Sequence, residues 1–276
     1  MGEVVLSEQH RFRSTIPYYA RYRVPYPDEI IAFVVDRCGI GHGTRVLDLG
    51  CGPGQLAVAF ARLGATVTAM DPEPDMLAAA EKRAKDAGVA VTLVEGSSYD
   101  LNPTLGRFHL VTIGRSFHWM DRDATLAALD SLVEPGGAIA IISERRADSP
   151  RGNWRELLDR LREEFVPERA AERRRQRMAM EPQDAVLLRS AFSRLEAYTV
   201  ILRLTLSPDE IVGLTLSLSN TSPEALGDQR PAFEKKLREG LARLSTKGDL
   251  SENVAISTVI AKRPVAVAGS PREPSR

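Results

Sequence analysis

Short apolar runs alternate with amphipathic segments along the first half of the chain. The runs are typical of buried strands, whereas the segments repeat apolar residues at helical spacing, as Leu56, Ala57 and Phe60 do. The predicted strands cover residues 44–49, 66–70, 89–94, 109–113 and 138–143, and the predicted helices cover 28–38, 55–63, 75–87 and 123–133. This alternation predicts a parallel sheet with helices on both faces, whose strand-to-helix loops all open at one end.

The pattern changes after Ser143, where the regular alternation of strand and helix stops. The arginine-rich stretch 168–177 predicts a solvated helix face, with a ligand or phosphate site as the alternative. Glycine and proline at 134–137 predict a turn before the fifth strand. The later elements predicted on the same basis are a helix at 153–166, strands at 195–206 and 254–261, helices at 207–219 and 231–244, and a disordered tail at 264–276.

Composition narrows the class of protein. A chain of 276 residues is long enough for one large domain, or for a core with a substantial insertion. Its formal net charge of zero gives no overall field toward nucleic acid or a membrane surface. Cys38 and Cys51 form no disulfide framework and lack the spacing of metal ligands. We therefore expect a soluble cytoplasmic protein, monomer or homodimer, that uses no metal and binds neither nucleic acid nor membrane.

Residues 46–54 read VLDLGCGPG and place three glycines directly after a predicted strand. Glycine lets bare backbone approach a ligand at the N-terminus of the following helix, although a structural turn without ligand is the alternative. A dinucleotide-binding loop would require glycine in place of Gln55, so the pattern favours a smaller nucleoside with an amino-acid end. Asp48 lies inside the apolar run, where a carboxylate needs a partner.

This loop resembles the first motif of class I S-adenosylmethionine-dependent methyltransferases, in the small-molecule (type 11/25-like) branch. The resemblance implies a Rossmann-like α/β fold with seven strands, mostly parallel, an antiparallel edge strand and a helical lid insertion. It implies one domain over residues 1–276, with a core at about 17–145 and 195–263 and a lid at about 146–194. The implied cofactor is S-adenosylmethionine, which leaves as S-adenosylhomocysteine.

The resemblance also implies where the cofactor is held. Asp71, at the end of the second strand, is the expected acceptor for the ribose hydroxyls, while Asp75 is an expected helix cap. Ser98 or Tyr99 falls nearest the adenine, and Pro72 and Met76 either cover its ring or pack in the core. The full set of expected cofactor residues is Tyr22, Arg23, Asp48, Gly50, Cys51, Gly52, Gly54, Gln55, Asp71, Pro72, Met76, Ser97, Ser98, Tyr99, Arg115 and Ser116.

The acceptor is expected beside the fourth strand. His118 is the candidate base or substrate contact, because imidazole titrates near neutrality, and Glu144 is the second choice. Tyr19, Phe117 and Trp119 are expected to line the acceptor pocket. The resemblance implies methyl transfer to a small-molecule metabolite, such as a natural-product intermediate. The histidine favours oxygen as the acceptor atom, with nitrogen or carbon as the other acceptors. A non-methylating enzyme that binds S-adenosylmethionine and a nucleotide-dependent oxidoreductase remain as alternatives.

Overall fold

A computed structural model describes residues 13–146, 153–244 and 250–265 of the protein. Its strands are β1 (Arg45–Leu49), β2 (Thr66–Asp71), β3 (Thr92–Glu95), β4 (Phe108–Gly114), β5 (Val133–Arg146), β6 (Arg194–Leu206) and β7 (Leu250–Lys262). They form one seven-stranded sheet in the order β3-β2-β1-β4-β5-β7-β6. Strands β1 to β5 are parallel, and β7 is antiparallel to both β5 and β6. The expected α/β sheet with an antiparallel hairpin at its edge is confirmed.

Helices flank this sheet and also form a separate layer. They are α1 (Ile16–Tyr22), α2 (Asp28–Cys38), α3 (Gln55–Arg62), α4 (Pro74–Asp86), α5 (Arg122–Leu132), α6 (Asn153–Phe165), α7 (Pro167–Ala179), α8 (Gln183–Leu188), α9 (Pro208–Leu216), α10 (Pro223–Leu226) and α11 (Arg230–Leu244). Side chains of a strand alternate between faces, so Val46 packs with α2 and α3 on one face, while Leu47 packs with α5 on the other. Both faces of β1 are therefore buried, as expected for a parallel sheet.

The third apolar cluster of the fold is helical. Residues from α6, α9 and α11 share it, with Trp154, Ile211, Phe233 and Leu237 each completely buried, and Tyr22 of α1 packs against it. The predicted lid at 146–194 supplies only part of this cluster. The rest comes from the connection between β6 and β7 and from the N-terminal segment. Conversely, Val186 of α8 is buried against the sheet with the α5 residues.

Several local predictions need correction. Residues 134–137 are a bulge within β5 rather than a turn before it, because Val133 pairs with Phe108 and Ala138 with Leu110. The helices α1 and α8 fall where no helix was predicted. Most of the tail predicted from residue 264 lies outside the described residues, and the proposed domain boundaries stay predictions.

Candidate functional site

The glycine loop connects β1 to α3 and is anchored on the end of β2. The backbone amides of Gly50 and Cys51 both donate to the carbonyl of Met70, over 2.8 and 3.0 Å. Gly50 and Gly52 have φ angles of +68° and +51°, a region that L side chains rarely adopt. A methyl group on Gly50 would lie 2.6 Å from Ser116 Oγ, whereas one on Gly52 would meet nothing within 4 Å. Gly52 therefore presents bare backbone to open space.

Gly54, the last glycine of the loop, serves a different purpose. It precedes α3 with a φ of +73°, and a methyl group there would lie 2.9 Å from Ala80 Cβ of α4. Its small size lets two helices approach each other, and the residue is buried. Cys51 is also buried among apolar residues, and burial raises the pKa of its thiol well above the ordinary value. These two members of the predicted cofactor set contribute to packing of the loop.

Asp48 lies beneath the loop in the core of the sheet. Its Oδ1 accepts from Thr112 Oγ1 over 2.8 Å, and its Oδ2 accepts from the Ala57 amide over 3.0 Å. The carboxyl thus joins β1, β4 and the first turn of α3. Burial raises its pKa to about 7, although both hydrogen bonds act in the opposite direction. Asp48 supports the loop from inside, and only 1% of it is exposed.

Asp71 borders the same loop from the end of β2. Its Oδ2 accepts from the Gly52 amide over 2.8 Å, and its Oδ1 accepts from the Glu73 amide over 3.0 Å. Burial raises the pKa of this carboxyl. Each carboxylate oxygen has more than one lone pair, so both can accept a further hydrogen bond from a ligand hydroxyl. The structure brings Asp71 and Gly52 together, as expected of a nucleoside site.

The two predicted adenine contacts in the segment after β3 differ in their exposure. Ser97 Oγ accepts from the Tyr99 amide, and Asp100 Oδ2 accepts from the Ser97 amide, which forms a capping box. Ser98 is buried, whereas Tyr99 is 63% exposed. Met76 on α4 is buried as well, and Pro72 is half-buried. Ser98 and Tyr99 therefore differ in exposure, and both stay predicted adenine contacts.

Arg115, just after β4, ties the N-terminal segment to the sheet. Its Nη1 donates to Glu144 Oε2 over 2.6 Å, its Nη2 donates to the carbonyl of Val24, and its guanidinium lies 4.4 Å from the centre of the Tyr26 ring. The side chain is 7% exposed. Glu144 is therefore held in an ion pair and is a poor candidate for a base.

The other predicted residues of the N-terminal segment divide between two environments. Tyr22 packs into the helical cluster, where a methyl group on Gly213 would overlap its ring. Arg23 lies 4.8 Å from the centre of the Tyr19 ring and donates to the carbonyl of Ser217 over 3.3 Å. The Nε of Arg23 is buried and makes no hydrogen bond to the described residues. Arg23 is therefore available to an anion, whereas the ring of Tyr22 is used in packing.

His118 and Trp119 lie in the turn that follows β4, one wall of an open cavity of about 310 Å³. Their ring centres are 4.7 Å apart. His118 is exposed as a residue, and desolvation together with the charges of Arg23 and Arg122 lowers its pKa to about 4. The imidazole is neutral at pH 7. The remaining predicted acceptor residue, Phe117, is buried in the core against the sheet.

Part of the chain, including this site, is similar to a known protein family. Residues 46–137, which include the glycine loop, Asp71 and the turn after β4, match the family of methyltransferase domains. This match covers less than half of the chain. Over 106 residues the chain is 39% identical to a ubiquinone biosynthesis O-methyltransferase of Xanthomonas axonopodis pv. citri, a match that covers 38% of this chain and 44% of the relative. The chain thus spans less than half the length of that relative.

Two further proteins match this chain over more of its length. An uncharacterized methyltransferase of Mycobacterium tuberculosis is 27% identical over 214 residues, which covers 77% of this chain and 79% of the relative. A methyltransferase of Geobacter sulfurreducens, solved in complex with S-adenosylhomocysteine, superimposes with a TM-score of 0.51. The two sequences are 18% identical, and the match covers 91% of this chain and 98% of the Geobacter chain. At this identity the likeness supports the fold alone.

Three residues around this site were not predicted from the sequence. Arg83 of α4 donates from Nε to the carbonyl of Pro53 over 2.8 Å and fixes the loop from outside. Thr112 binds Asp48, and Tyr26 lies beneath Arg115. Thr112 had a signal, since it is a polar residue inside the apolar run of β4. Neither Arg83 nor Tyr26 has a local pattern that indicates its partner.

Two features are absent from the described part of the chain. Within residues 13–146, 153–244 and 250–265, no group of three or more histidine, cysteine or acidic side chains is arranged to hold a metal ion. In the same part of the chain, no helix combines the length and apolar character that crossing a bilayer requires.

Proposed function

We propose that this protein transfers a methyl group from S-adenosylmethionine to an oxygen atom of a small molecule. The observation that carries the proposal is Gly52, whose bare backbone faces open space while its amide holds the Asp71 carboxylate. The relative named an O-methyltransferase supports oxygen as the acceptor, because its match with this chain includes 106 residues at 39% identity.

The residues around the loop fit a nucleoside with an amino-acid end. Asp71 offers acceptor oxygens for ribose hydroxyls, and Gly52 leaves room for close approach. The buried, unpaired Nε of Arg23 fits a carboxylate, which a guanidinium binds in a planar fork. When bound, S-adenosylmethionine supplies an electrophilic methyl group on a sulfonium.

The protein's own part in the reaction is chiefly alignment. Holding two reactants in line is worth on the order of 7–11 kcal/mol in favourable cases, so a strong base is not required. His118 is neutral at pH 7 because its pKa lies at about 4, and it can accept a hydrogen bond from an acceptor hydroxyl. Its low basicity indicates that it orients the hydroxyl and accepts the proton only as the new bond forms.

Calorimetric titration with S-adenosylhomocysteine, followed by incubation of labelled S-adenosylmethionine with a panel of small hydroxylated compounds, tests the proposal. We expect one cofactor site per chain and transfer of label to oxygen, identified by mass spectrometry. Binding without transfer to any acceptor atom would favour the non-methylating enzyme. Stabilisation by a nicotinamide dinucleotide, without binding of S-adenosylhomocysteine, would favour the oxidoreductase.

A further inference from the structure

The cavity beside His118 lies between the turn after β4 and the C-terminal end of α7. Trp119, Met120 and Arg122 contribute from the turn and the start of α5, and Gln176 and Met180 contribute from the opposite side. Its volume of about 310 Å³ is at the lower end of the range for small-molecule sites. The cavity is therefore large enough for a compact acceptor.

Met120 connects this cavity to the glycine loop. It lines the cavity, and its Cε lies 3.4 Å from the position of a methyl group built on Gly50. Ser116 Oγ, four residues earlier, donates to the carbonyl of Leu49 over 3.1 Å. The turn after β4 is thus fixed against the end of β1, so a molecule in the cavity lies next to the loop proposed to bind the cofactor.

The walls of the cavity favour a flat ligand. The rings of His118 and Trp119 form an aromatic surface on one side, with their planes inclined by 43°. Thioethers of Met120 and Met180 offer polarizable contacts, and sulfur interacts favourably with the edges of aromatic rings. Such a surface gains more from an aromatic ring than from a sugar or an extended polar chain.

The charge at the cavity is positive. Arg122 is the one charged side chain among the described residues that line it, and its Nη1 donates to the backbone carbonyl of Glu181 over 2.8 Å. The nearby carboxylates of Asp123 and Glu181 are both bound by Arg189. Arg122 forms no ion pair within the described part of the chain, and several of its donors remain for a ligand.

Neighbouring residues add to this positive charge. Arg23 acts on His118 from the N-terminal segment, and its buried Nε lacks a hydrogen-bond partner among the described residues. The low pKa of His118 has desolvation as its largest cause, but the charges of Arg23 and Arg122 contribute to it. A neutral imidazole flanked by guanidinium groups is well suited to a hydroxylated anion.

We propose that this cavity binds an aromatic acceptor that carries both a hydroxyl group and a carboxylate, with the carboxylate directed to Arg122 and the ring against Trp119. The inference rests on the proposed function, because it names the class of molecule that receives the methyl group. The hydroxyl of the acceptor lies toward His118. In methyl transfer the hydroxyl oxygen attacks the methyl carbon, the bond from that carbon to sulfur breaks, and the hydroxyl proton is released to the imidazole or to solvent.

The test compares two probes that differ only in charge, 3,4-dihydroxybenzoate and 3,4-dihydroxybenzamide, by calorimetry with and without S-adenosylhomocysteine. We expect the carboxylate to bind at least about tenfold more tightly than the amide, as is reasonable for a charge-assisted hydrogen bond. Arg122→Gln should reduce this preference to about threefold or less. Arg175→Gln, an equal loss of charge at an exposed position of α7 outside the cavity, should leave it unchanged.

Salt gives a second readout that needs no variant. Raising the salt concentration should weaken binding of the carboxylate and leave the amide unaffected, because screening acts only on the charged probe. Equal affinity of the two probes for the unmodified protein, or equal losses in Arg122→Gln and Arg175→Gln, would overturn the acceptor class. If S-adenosylhomocysteine still binds in that case, the proposed function survives. If it does not bind, the proposed function fails separately.

Discussion

At the scale of single residues, the two carboxylates of the site act in different ways. Asp48 is enclosed in the sheet and joins three elements through its two oxygens. Asp71 lies at the border of the glycine loop, where its two oxygens accept from the amides of Gly52 and Glu73. A change at the first residue should therefore act on folding, and a change at the second should act on binding.

Asp71→Ala should weaken binding of S-adenosylhomocysteine by about 1–3 kcal/mol, because a charged hydrogen-bond acceptor is lost together with a support of the Gly52 amide. Calorimetry measures this loss. Asp75→Ala is the matched control, since that carboxylate is exposed and pairs with Arg13. Unchanged affinity in Asp71→Ala would mean that other groups hold the ribose.

Asp48→Asn should remove part of the pH dependence of stability. The folded-state pKa of about 7 lies above the ordinary value of 3.8, so the folded protein holds this proton more tightly than the unfolded chain. The contribution of Asp48 to the free energy of unfolding is fully present below pH 4 and is lost as the pH rises toward 7. Urea unfolding at pH 5 and pH 8 should show a smaller decrease for Asp48→Asn than for the unmodified protein, by on the order of 1–3 kcal/mol. An equal decrease in the free energy of unfolding between pH 5 and pH 8 for Asp48→Asn and Asp75→Asn would contradict this.

His118→Asn should lower the rate of methyl transfer by about 10- to 100-fold and leave the affinity for S-adenosylhomocysteine unchanged. Because the pKa of His118 is about 4, the rate should stay constant from pH 6 to 8 and fall only near pH 4, as the imidazole gains a proton. His42→Asn, at the opposite end of β1, is the control. A rate that changes near pH 6.5 would show that the ring is not desolvated.

At the scale of elements, the glycine loop separates packing from binding. Gly54→Ala places a methyl group 2.9 Å from Ala80 Cβ, in addition to the unfavourable φ angle. It should lower the free energy of unfolding by about 2–4 kcal/mol. Gly52→Ala, with open space around it, should lose only about 1 kcal/mol of stability but bind S-adenosylhomocysteine at least about tenfold more weakly. Thermal unfolding and calorimetry on both variants separate the effects, and equal thermal losses would refute the distinction.

The elements that the sequence predicts well are those with a clear period. The five parallel strands and helices α2 to α5 follow from apolar spacing, and the motif 46–54 locates the loop and Asp71. Helix α1 was not predicted because PYYARYRV has no apolar stripe, and its Tyr22 is partly buried only through contact with distant helices. The same reason applies to Arg83 and Tyr26, whose partners are far apart in sequence.

At the scale of the whole molecule, one largely buried ion pair links the helical cluster to the sheet. Arg155 of α6 donates from Nε and Nη2 to Glu252 of β7 over 2.7 and 2.9 Å, and its guanidinium lies 3.9 Å from the centre of the Trp154 ring. The Glu252 side chain is 5% exposed and that of Arg155 is 12% exposed. Water therefore screens this pair weakly.

Glu252→Gln should destabilise the protein by about 3 kcal/mol, because the Arg155 charge is left without compensation. In a chain of this length the melting temperature should fall by roughly 6–10 °C. Lys82→Gln breaks an exposed ion pair with Asp86 and should change the melting temperature little. Melting curves that coincide for the two variants would show that the buried pair adds nothing to stability.

The position of β7 has a consequence for how the protein is made. This strand is the last of the seven to be synthesised, yet it lies between β5 and β6 in the finished sheet. During synthesis, the edge of β5 that pairs with β7 therefore has no native partner, and its backbone groups stay unpaired until β7 emerges from the ribosome. Exposed strand edges of this kind recruit other chains, so slow or interrupted translation before residue 250 should favour aggregation.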